Sequence, residues 1–226
     1  MIKILFICHE SICRSPIAEF VMKDMVIRAW YTVVGINGAT KDDADFDIYS
    51  AATSREELGN PIYPPTKRTL AQHGIGTPDN ELGVSQKRSR QITKDDYDYY
   101  DLLICADKNN GRNILRILGD DPEGKVKLFL DYAGRVGEEI ADPWYTGDYD
   151  ETWDDVVEGY EGLPGELLGH LDNQKEDKFP FVALKACNIL ALFHMISIQT
   201  CIHKGGRFVS YLRTVVKKTR MIKVTA

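Results

Sequence analysis

Apolar and polar residues along the chain alternate between strand-like and helix-like patterns. Short apolar or alternating runs predict strands at residues 4–7, 46–52, 100–106 and 125–130. Apolar residues spaced three and four apart predict helices at residues 16–30, from 67, at 110–118 and at 152–171, the last one broken near 164–165. Strands that alternate with helices are typical of parallel βαβ units. We therefore expect an α/β fold, a doubly wound, mostly parallel four-stranded sheet with helices on both faces.

The stretch after the first strand carries the most informative chemistry. Cys8 ends the apolar run, five residues follow, and Arg14, Ser15 and Pro16 open the first helix. A loop that ends at a helix N-terminus offers backbone N–H groups and the positive end of the helix dipole to an anion. Arg14 can add two parallel donors, and the same field favours the thiolate of Cys8, to which Ser15 can donate its hydroxyl. The stretch predicts a nucleophile beneath a bound oxyanion; the alternative is a buried, inert Cys8 and a surface Arg14.

Asp142 is the second chemical candidate. A reaction in which Cys8 displaces an oxygen from the bound oxyanion would need a proton for that leaving oxygen, and the Asp142 carboxylic acid, on a loop over the pocket, could supply it and later act as a base. Pro143 stiffens that loop and biases Asp142 towards an extended conformation. Taken alone, an Asp-Pro pair is more often a solvated turn, so the assignment depends on its combination with the Cys8 loop.

Together these motifs resemble the low-molecular-weight protein tyrosine phosphatases. The resemblance covers roughly residues 1–172 and includes, in the family's order, Cys8-x5-Arg14-Ser15-Pro16, Ala18-Glu19, Ser50-Ala51-Ala52-Thr53-Ser54, Gly59-Asn60-Pro61, His73-Gly74-Ile75, Arg90-Gln91-Ile92, Tyr100-Asp101-Leu102-Leu103-Ile104-Cys105 and Asp142-Pro143-Trp144-Tyr145. It implies a hydrolase of protein phosphotyrosine, or of a similar aryl or arginine phosphate, that works through a phosphocysteine.

The resemblance also implies a role for each matching residue. Cys8, Arg14 and Asp142 would be catalytic, and Trp144 and Tyr145 would form the pocket wall. The phosphate-binding loop would comprise His9, Glu10, Ser11, Ile12, Cys13, Arg14 and Ser15. The expected partners are a phosphorylated protein or small aryl phosphate, with phosphate or another oxyanion in the loop.

Glu10 and Ser11 depart from the family, because many members have Gly-Asn at these positions. Gly and Asn tolerate a positive φ better than Glu and Ser. A carboxylate pointing inward would repel a phosphate dianion, so we expect Glu10 to point to solvent. Lower activity or an altered anion preference is a hypothesis that follows.

Composition and charge divide the chain. Its 226 residues are 43% hydrophobic and carry a net charge of −6, which is ordinary for a soluble globular protein. Residues 174–226, however, hold ten Lys/Arg and only two Asp/Glu. This shift predicts a phosphatase domain at residues 1–172 and a basic, apolar C-terminal extension at 173–226, of low order or loosely packed.

The apolar part of the extension leaves several interpretations open. Residues 179–202 have the length of a membrane span, but Lys185 would cost roughly 2.5–3.5 kcal/mol near its centre. The segment could instead be a peripheral helix, an extra helix packed on the domain, or a tail not selected for folding. Membrane contact by the extension is therefore left undecided.

The cysteine and histidine patterns predict a reducing setting and no metal. The five cysteines do not form a disulfide framework, and no signal peptide is evident, so we expect a cytoplasmic protein. Cys13 follows Cys8 in the same loop and could form a reversible disulfide with it. The five histidines lack metal-ligand spacing, so neither a metal nor a cofactor is predicted.

Other function classes remain as alternatives. An arsenate reductase on the same fold would need two further, closely spaced cysteines, and Cys105 has no such neighbour. A non-catalytic phosphate-binding relative is conceivable because of Glu10 and Ser11, but binding alone would need neither Cys8 nor Asp142. The basic extension could bind nucleic acid non-specifically, which the acidic domain would oppose, so no specific nucleic acid is expected.

Overall fold

Four parallel strands form the sheet in the part of the chain that the structure describes. The computed structural model describes residues 1–29 and 31–172. The strands are β1 (Ile2–Cys8), β2 (Phe46–Ala52), β3 (Leu102–Cys105) and β4 (Val126–Leu128). They pair in parallel in the order β2-β1-β3-β4. The predicted α/β fold with a parallel four-stranded sheet is confirmed.

Helices connect the strands and follow the last one. They are α1 (Arg14–Arg28), α2 (Pro64–Gln72), α3 (Lys94–Tyr99), α4 (Lys108–Leu118), α5 (Pro143–Thr146) and α6 (Tyr149–Asp172). A short 3₁₀ turn, Phe129–Asp131, follows β4.

The alternation of side chains along β1 separates two apolar clusters, one on each face of the sheet. Ile4 and Phe6 belong to the cluster that includes residues of α1 and α6, such as Phe20 and Tyr160. Leu5 and Ile7 belong to the other cluster, together with residues of α3 and α4. Successive residues of a strand point to opposite faces. The expected helices on both faces are therefore present.

Four helices differ from the sequence-based predictions, one of them the four-residue α5, which was expected to be a loop. α2 begins at Pro64, earlier than expected, because proline fits the first turn of a helix, where its missing N–H is not needed. α3 was not predicted; it is short and charged, but a reciprocal capping box between Thr93 and Asp96 fixes its start. The predicted break near residues 164–165 is wrong, since α6 continues through them after a stretch anchored by buried Val156 and Leu163.

The predicted C-terminal extension, 173–226, lies outside the described residues. Its order, packing and membrane contact therefore remain predictions. In the part of the chain that is described, no helix has the length and apolar character needed to cross a membrane.

The order of the strands places the end of β1 at a special position. β1 lies between β2 and β3, and the direction in which the chain adds strands reverses between β1 and β3. In open α/β sheets, ligands bind outside the carboxyl ends of the strands at such a switch point. Cys8 is the last residue of β1 and therefore lies there.

Candidate active site

The loop between β1 and α1 wraps around the sulfur of Cys8. The backbone N–H of Ser11 donates to Cys8 Sγ at 3.2 Å. The hydroxyl oxygen of Ser15, in the first turn of α1, lies 3.2 Å from the same sulfur. Cys8 is 3% exposed, so these donors act on it in a site largely shielded from water. Such donors stabilise negative charge on the sulfur.

Ser11 is the position where the loop needs an unusual backbone conformation. Its φ is 55°, in the left-handed region that disfavours most side chains. Glu10 does not have a positive φ, so the loop does not require a glycine at this position. The departure of residues 10 and 11 from the family pattern therefore leaves strain at Ser11 alone.

Hydrogen bonds from neighbouring segments hold this loop in place. The carbonyl of Cys8 accepts from Thr53 N at 3.0 Å, that of His9 from Ser54 N at 2.8 Å, that of Glu10 from Ser89 Oγ at 2.6 Å, and that of Ile12 from Tyr63 N at 3.1 Å. Because the donors come from the segments after β2 and before α2 and α3, the tertiary structure defines the shape of the loop.

Arg14 forms hydrogen bonds with three residues that are distant in the sequence. Its Nη1 donates to Asp107 Oδ2 at 2.7 Å and to the carbonyl of Ile140 at 3.0 Å, and its Nη2 donates to Asp142 Oδ2 at 2.7 Å. Burial would lower the pKa of Arg14, but the negative charges assigned to Cys8, Asp142 and Asp107 raise it above its ordinary value. The guanidinium is thus a fixed cation between the predicted nucleophile and the predicted acid.

Asp142 is the N-cap of α5 and not part of an irregular loop. Its Oδ1 accepts a hydrogen bond from Trp144 N at 3.1 Å, while Pro143 occupies the first helical position. Trp144 is 54% exposed, with its ring 5.2 Å from that of Tyr63, and Tyr145 is 84% exposed. The cap aims the other oxygen of Asp142 at Arg14.

These residues surround a pocket of about 300 Å³. It is lined by Cys8, His9, Glu10, Ile12, Cys13, Arg14, Glu56, Asp142, Trp144 and Tyr145. The structure thus brings the predicted catalytic residues and both predicted wall residues to one cavity. Ser11 and Ser15 lie beneath it, against the Cys8 sulfur.

Glu10 does not lie where we expected it. It is half-buried and lines the pocket, whereas the sequence analysis placed it in solvent. Burial raises its pKa, and the nearby carboxylates of Glu57 and Glu56 raise it further, while His9 opposes the shift. The loop therefore has an acidic wall.

A buried ion cluster beneath the loop was missed by the sequence analysis. Glu19 Oε1 accepts from Lys23 Nζ at 2.6 Å, and Glu19 Oε2 lies 2.9 Å from Lys87 Nζ. Ser50 donates its hydroxyl to Glu19 Oε2 at 2.6 Å, and its carbonyl accepts from Lys87 Nζ at 2.7 Å. Burial would raise the pKa of Glu19, but the two lysines and these hydrogen bonds lower it to about 2.

A chain of three serine hydroxyls connects this cluster to Cys8. Ser15 donates to Ser11 at 3.3 Å, Ser11 donates to Ser50 at 3.2 Å, and Ser50 donates to Glu19. With the Cys8–Ser15 contact, the chain has four contacts, but three hydroxyls supply only three protons. When Cys8 is a thiolate and Glu19 is ionised, one contact must therefore lack a proton.

The other described cysteines differ from Cys8 in their surroundings. Cys13 is buried, with its Sγ 3.9 Å from the Tyr149 hydroxyl, and burial raises its pKa to about 12. Cys105 is buried at the end of β3, donates to the carbonyl of Lys127 at 3.3 Å, and has its pKa raised by burial to about 12. The predicted Cys8–Cys13 redox pair remains a prediction.

Sequence reasoning alone could have found some of the missed residues. Asp107 lies two residues after the end of β3 and immediately before α4, as N-caps do. Glu19 and Lys23 have the spacing of a surface ion pair, so nothing in the sequence signals their burial. Ser50 and Lys87 likewise carry no local signal.

Comparison with known proteins agrees with this geometry. The sequence model for the family "Low molecular weight phosphotyrosine protein phosphatase" matches residues 3–177. The low molecular weight protein-tyrosine-phosphatase YfkJ of Bacillus subtilis is 29% identical over 177 residues, which cover 78% of this chain and 99% of that protein.

Solved structures give the same result. The low molecular weight protein tyrosine phosphatase SP-PTP from Streptococcus pyogenes aligns with a TM-score of 0.58 and 33% identity, over 74% of this chain and 93% of that one. The YwlE arginine phosphatase, solved with a phosphorylated active-site serine, aligns with a TM-score of 0.55 over 77% of this chain and 98% of that one; at 19% identity it shows the shared fold alone. With its family match spanning most of its length, the chain belongs to the low molecular weight phosphotyrosine protein phosphatases.

Proposed function

We propose that the protein hydrolyses phosphate monoesters of the phosphotyrosine type through a phosphocysteine formed on Cys8. The observation that carries this proposal is the Cys8 sulfur, held by two hydrogen-bonding groups at the base of a pocket whose mouth contains Arg14 and Asp142. Binding alone would need neither a nucleophile nor an acid.

In the first step, the Cys8 thiolate attacks phosphorus and the bond to the ester oxygen breaks. Asp142, in its carboxylic acid form, gives its proton to that leaving oxygen. Arg14 turns its Nη2 from Asp142 to the phosphoryl oxygens, while Asp107 keeps the other side of the guanidinium oriented.

In the second step, water attacks the phosphorus of the phosphocysteine and the S–P bond breaks. Asp142, now a carboxylate, accepts a proton from that water. Ser15 lies 3.2 Å from the departing sulfur and can turn its hydroxyl proton from Ser11 to the thiolate as it forms. The step returns Cys8 and Asp142 to their starting states and releases phosphate.

The apolar side of the pocket supports an aromatic substrate. Ile12 and Trp144 line the cavity, and Trp144 packs at 5.2 Å against Tyr63. A flat aryl ring can stack on such a wall, and an aromatic pair adds about 0.5–1.5 kcal/mol beyond burial. The proposed partner is therefore a protein carrying phosphotyrosine or a small aryl phosphate. A reducing, cytoplasmic location is part of the proposal, because the reaction requires Cys8 as a free thiolate.

The described residues support the alternatives less well. An arsenate reductase would need a further pair of accessible cysteines, whereas Cys105 is buried beneath α4 with its thiol bonded to a carbonyl. A non-catalytic relative would not need Asp142 aimed at Arg14. An arginine phosphate as substrate is tested directly alongside phosphotyrosine.

The test compares para-nitrophenyl phosphate, a phosphotyrosyl peptide and a phosphoarginyl peptide as substrates. Cys8→Ser should abolish turnover, and Asp142→Asn should lower kcat by roughly 10²–10⁴-fold. Asp148→Asn is the matched control, since Asp148 caps α6 and does not touch Arg14. Acid quenching during turnover should trap phosphate on the peptide that contains Cys8. Full activity in Cys8→Ser, or phosphate on another residue, would contradict the mechanism.

A further inference from the structure

Three side chains with metal-binding groups converge at the mouth of the pocket. One ligand atom each from His9, Glu10 and Glu56 lies within 4.8 Å of the other two, and His9 Nε2 is 3.9 Å from Glu56 Oε2. All three residues line the cavity above Cys8. Among the residues that the structure describes, no other group of three His, Cys, Asp or Glu side chains brings its ligand atoms this close together.

The two segments that carry these side chains are tied together by their backbones. His9 and Glu10 lie in the loop after β1, and Glu56 lies in the segment after β2. Ser54 N donates to the carbonyl of His9 at 2.8 Å, two residues before Glu56. The side chains of His9 and Glu56 are 47% and 71% exposed, so they can rotate to shorten the spacing without moving the backbone. The scaffold is thus preorganised while the ligands remain adjustable.

The donor set determines the kind of ion. An imidazole nitrogen with two carboxylates suits zinc and similar transition metals, whereas calcium and magnesium take oxygen ligands. Two carboxylates balance the charge of a divalent ion, and three protein ligands leave a coordination position open. We propose that His9, Glu10 and Glu56 bind a divalent metal ion of the zinc type at the mouth of the pocket.

The location connects the ion to the proposed active site, because all three ligands line the cavity that contains Cys8. Spacing along the sequence does not reveal this site, because Glu56 joins the other two ligands only through the parallel pairing of β1 and β2. The earlier expectation of no metal considered histidine spacing alone.

The test titrates Zn²⁺ into the full-length protein by calorimetry, in a Cys8→Ser background so that the thiolate is not a competing ligand. Adding Glu56→Gln or His9→Gln should raise the dissociation constant of one zinc site at least tenfold. Replacing a residue that only supports a metal ligand already costs about 10–100-fold in metal affinity, so losing a ligand should cost no less. Glu57→Gln is the matched control, because it removes the same charge at the adjacent residue. The carboxylate of Glu57 accepts from Asn60 Nδ2 at 2.5 Å and is not one of the three proposed metal ligands. Zinc binding should be unchanged in that control.

Two results would overturn the proposal. If Glu56→Gln and His9→Gln titrate like the parent, zinc binds elsewhere in the chain. If Glu57→Gln weakens binding as much as Glu56→Gln, the acidic wall attracts cations only by its overall charge. Because His9 and Glu56 are exposed, circular dichroism should show that every variant is folded.

Discussion

Replacing Glu19 with glutamine should destabilise the protein, and the loss should depend on pH. Glu19 is 1% exposed and is the anion that Lys23 and Lys87 share. Both lysine side chains are also buried, at 6% and 7% exposure. Glutamine would leave two buried cations without their counterion. Removing one partner of a buried ion pair typically costs about 3–5 kcal/mol.

The pKa of Glu19 gives a second route to the magnitude. Its ordinary value of 4.5 falls to about 2 in the folded protein, because the two lysines and Ser50 outweigh the effect of burial. A difference of roughly 2.5 units corresponds to roughly 3 kcal/mol of folding free energy at neutral pH. Since the folded pKa is depressed, this contribution is complete above about pH 4.5 and is lost as the pH falls through about 2. The two routes agree on several kcal/mol.

Urea unfolding between pH 2 and pH 7 would measure this effect. The difference in unfolding free energy between the native protein and Glu19→Gln should be largest above about pH 4.5 and shrink towards pH 2. Asp24→Asn is the matched control, because Asp24 pairs with Arg28 at the same i,i+4 spacing, with the arginine 43% exposed. Partly exposed pairs of this kind contribute about 0–1 kcal/mol.

A difference that stays constant across this pH range would refute the assignment of the titration to Glu19. Should Glu19→Gln fail to fold, Lys87→Met keeps the reasoning testable. That variant leaves Glu19 and Lys23 as a balanced pair and replaces a buried cation with an apolar side chain of similar length. It should cost less than Glu19→Gln, because it leaves no buried charge unpaired, whereas removing the shared anion leaves two buried cations.

Three further changes probe the loop. Asp107→Asn should lower kcat/KM for para-nitrophenyl phosphate with little loss of stability, because asparagine keeps the cap on Asn110 N but loses the charge on Arg14; unchanged kinetics would contradict this. Ser11→Asn should raise the free energy of unfolding by about 1 kcal/mol, because asparagine adopts the observed φ of 55° with less strain than serine and its amide can accept from Ser15 and donate to Ser50; a lower value would show that the serine hydroxyls matter more than the strain. Ser50→Ala leaves two hydroxyl protons for the two remaining contacts up to Cys8, so iodoacetamide should alkylate Cys8 faster than in the native protein at the same pH; slower alkylation would show that Ser50 mainly supports the loop.

The sequence could predict the sheet and the loop from Cys8 to Arg14 because both depend on local patterns. The apolar run of β1 is buried on both faces, so it reads as a strand without knowledge of its neighbours. Cys8 and Arg14 lie at the two ends of one short loop, and strand, loop and helix follow directly in the sequence. Asp142 was found only because the resemblance supplied a second motif far from the first.

The remainder of the site depends on long-range contacts that local patterns do not encode. Lys87 lies in a turn-rich segment and Ser50 lies inside β2, and only the fold places both against Glu19. A helical Glu-Lys pair normally indicates a solvated face, whereas α1 buries this pair against the sheet. Glu10 was misplaced for the same reason, since Ser89 holds its backbone from a distant segment.

The pairing of Arg14 links substrate binding to the protonation state of Asp142. One guanidinium between two carboxylates leaves the group with a net negative charge, which opposes a phosphate dianion. A protonated Asp142 removes that charge, frees Nη2 for the phosphoryl oxygens and is also the form that the proposed first step needs. Asp142→Asn should therefore bind inorganic phosphate or vanadate more tightly than the native protein while its turnover falls. If its affinity for these oxyanions instead falls together with kcat, Asp142 does not compete with the oxyanion for Arg14.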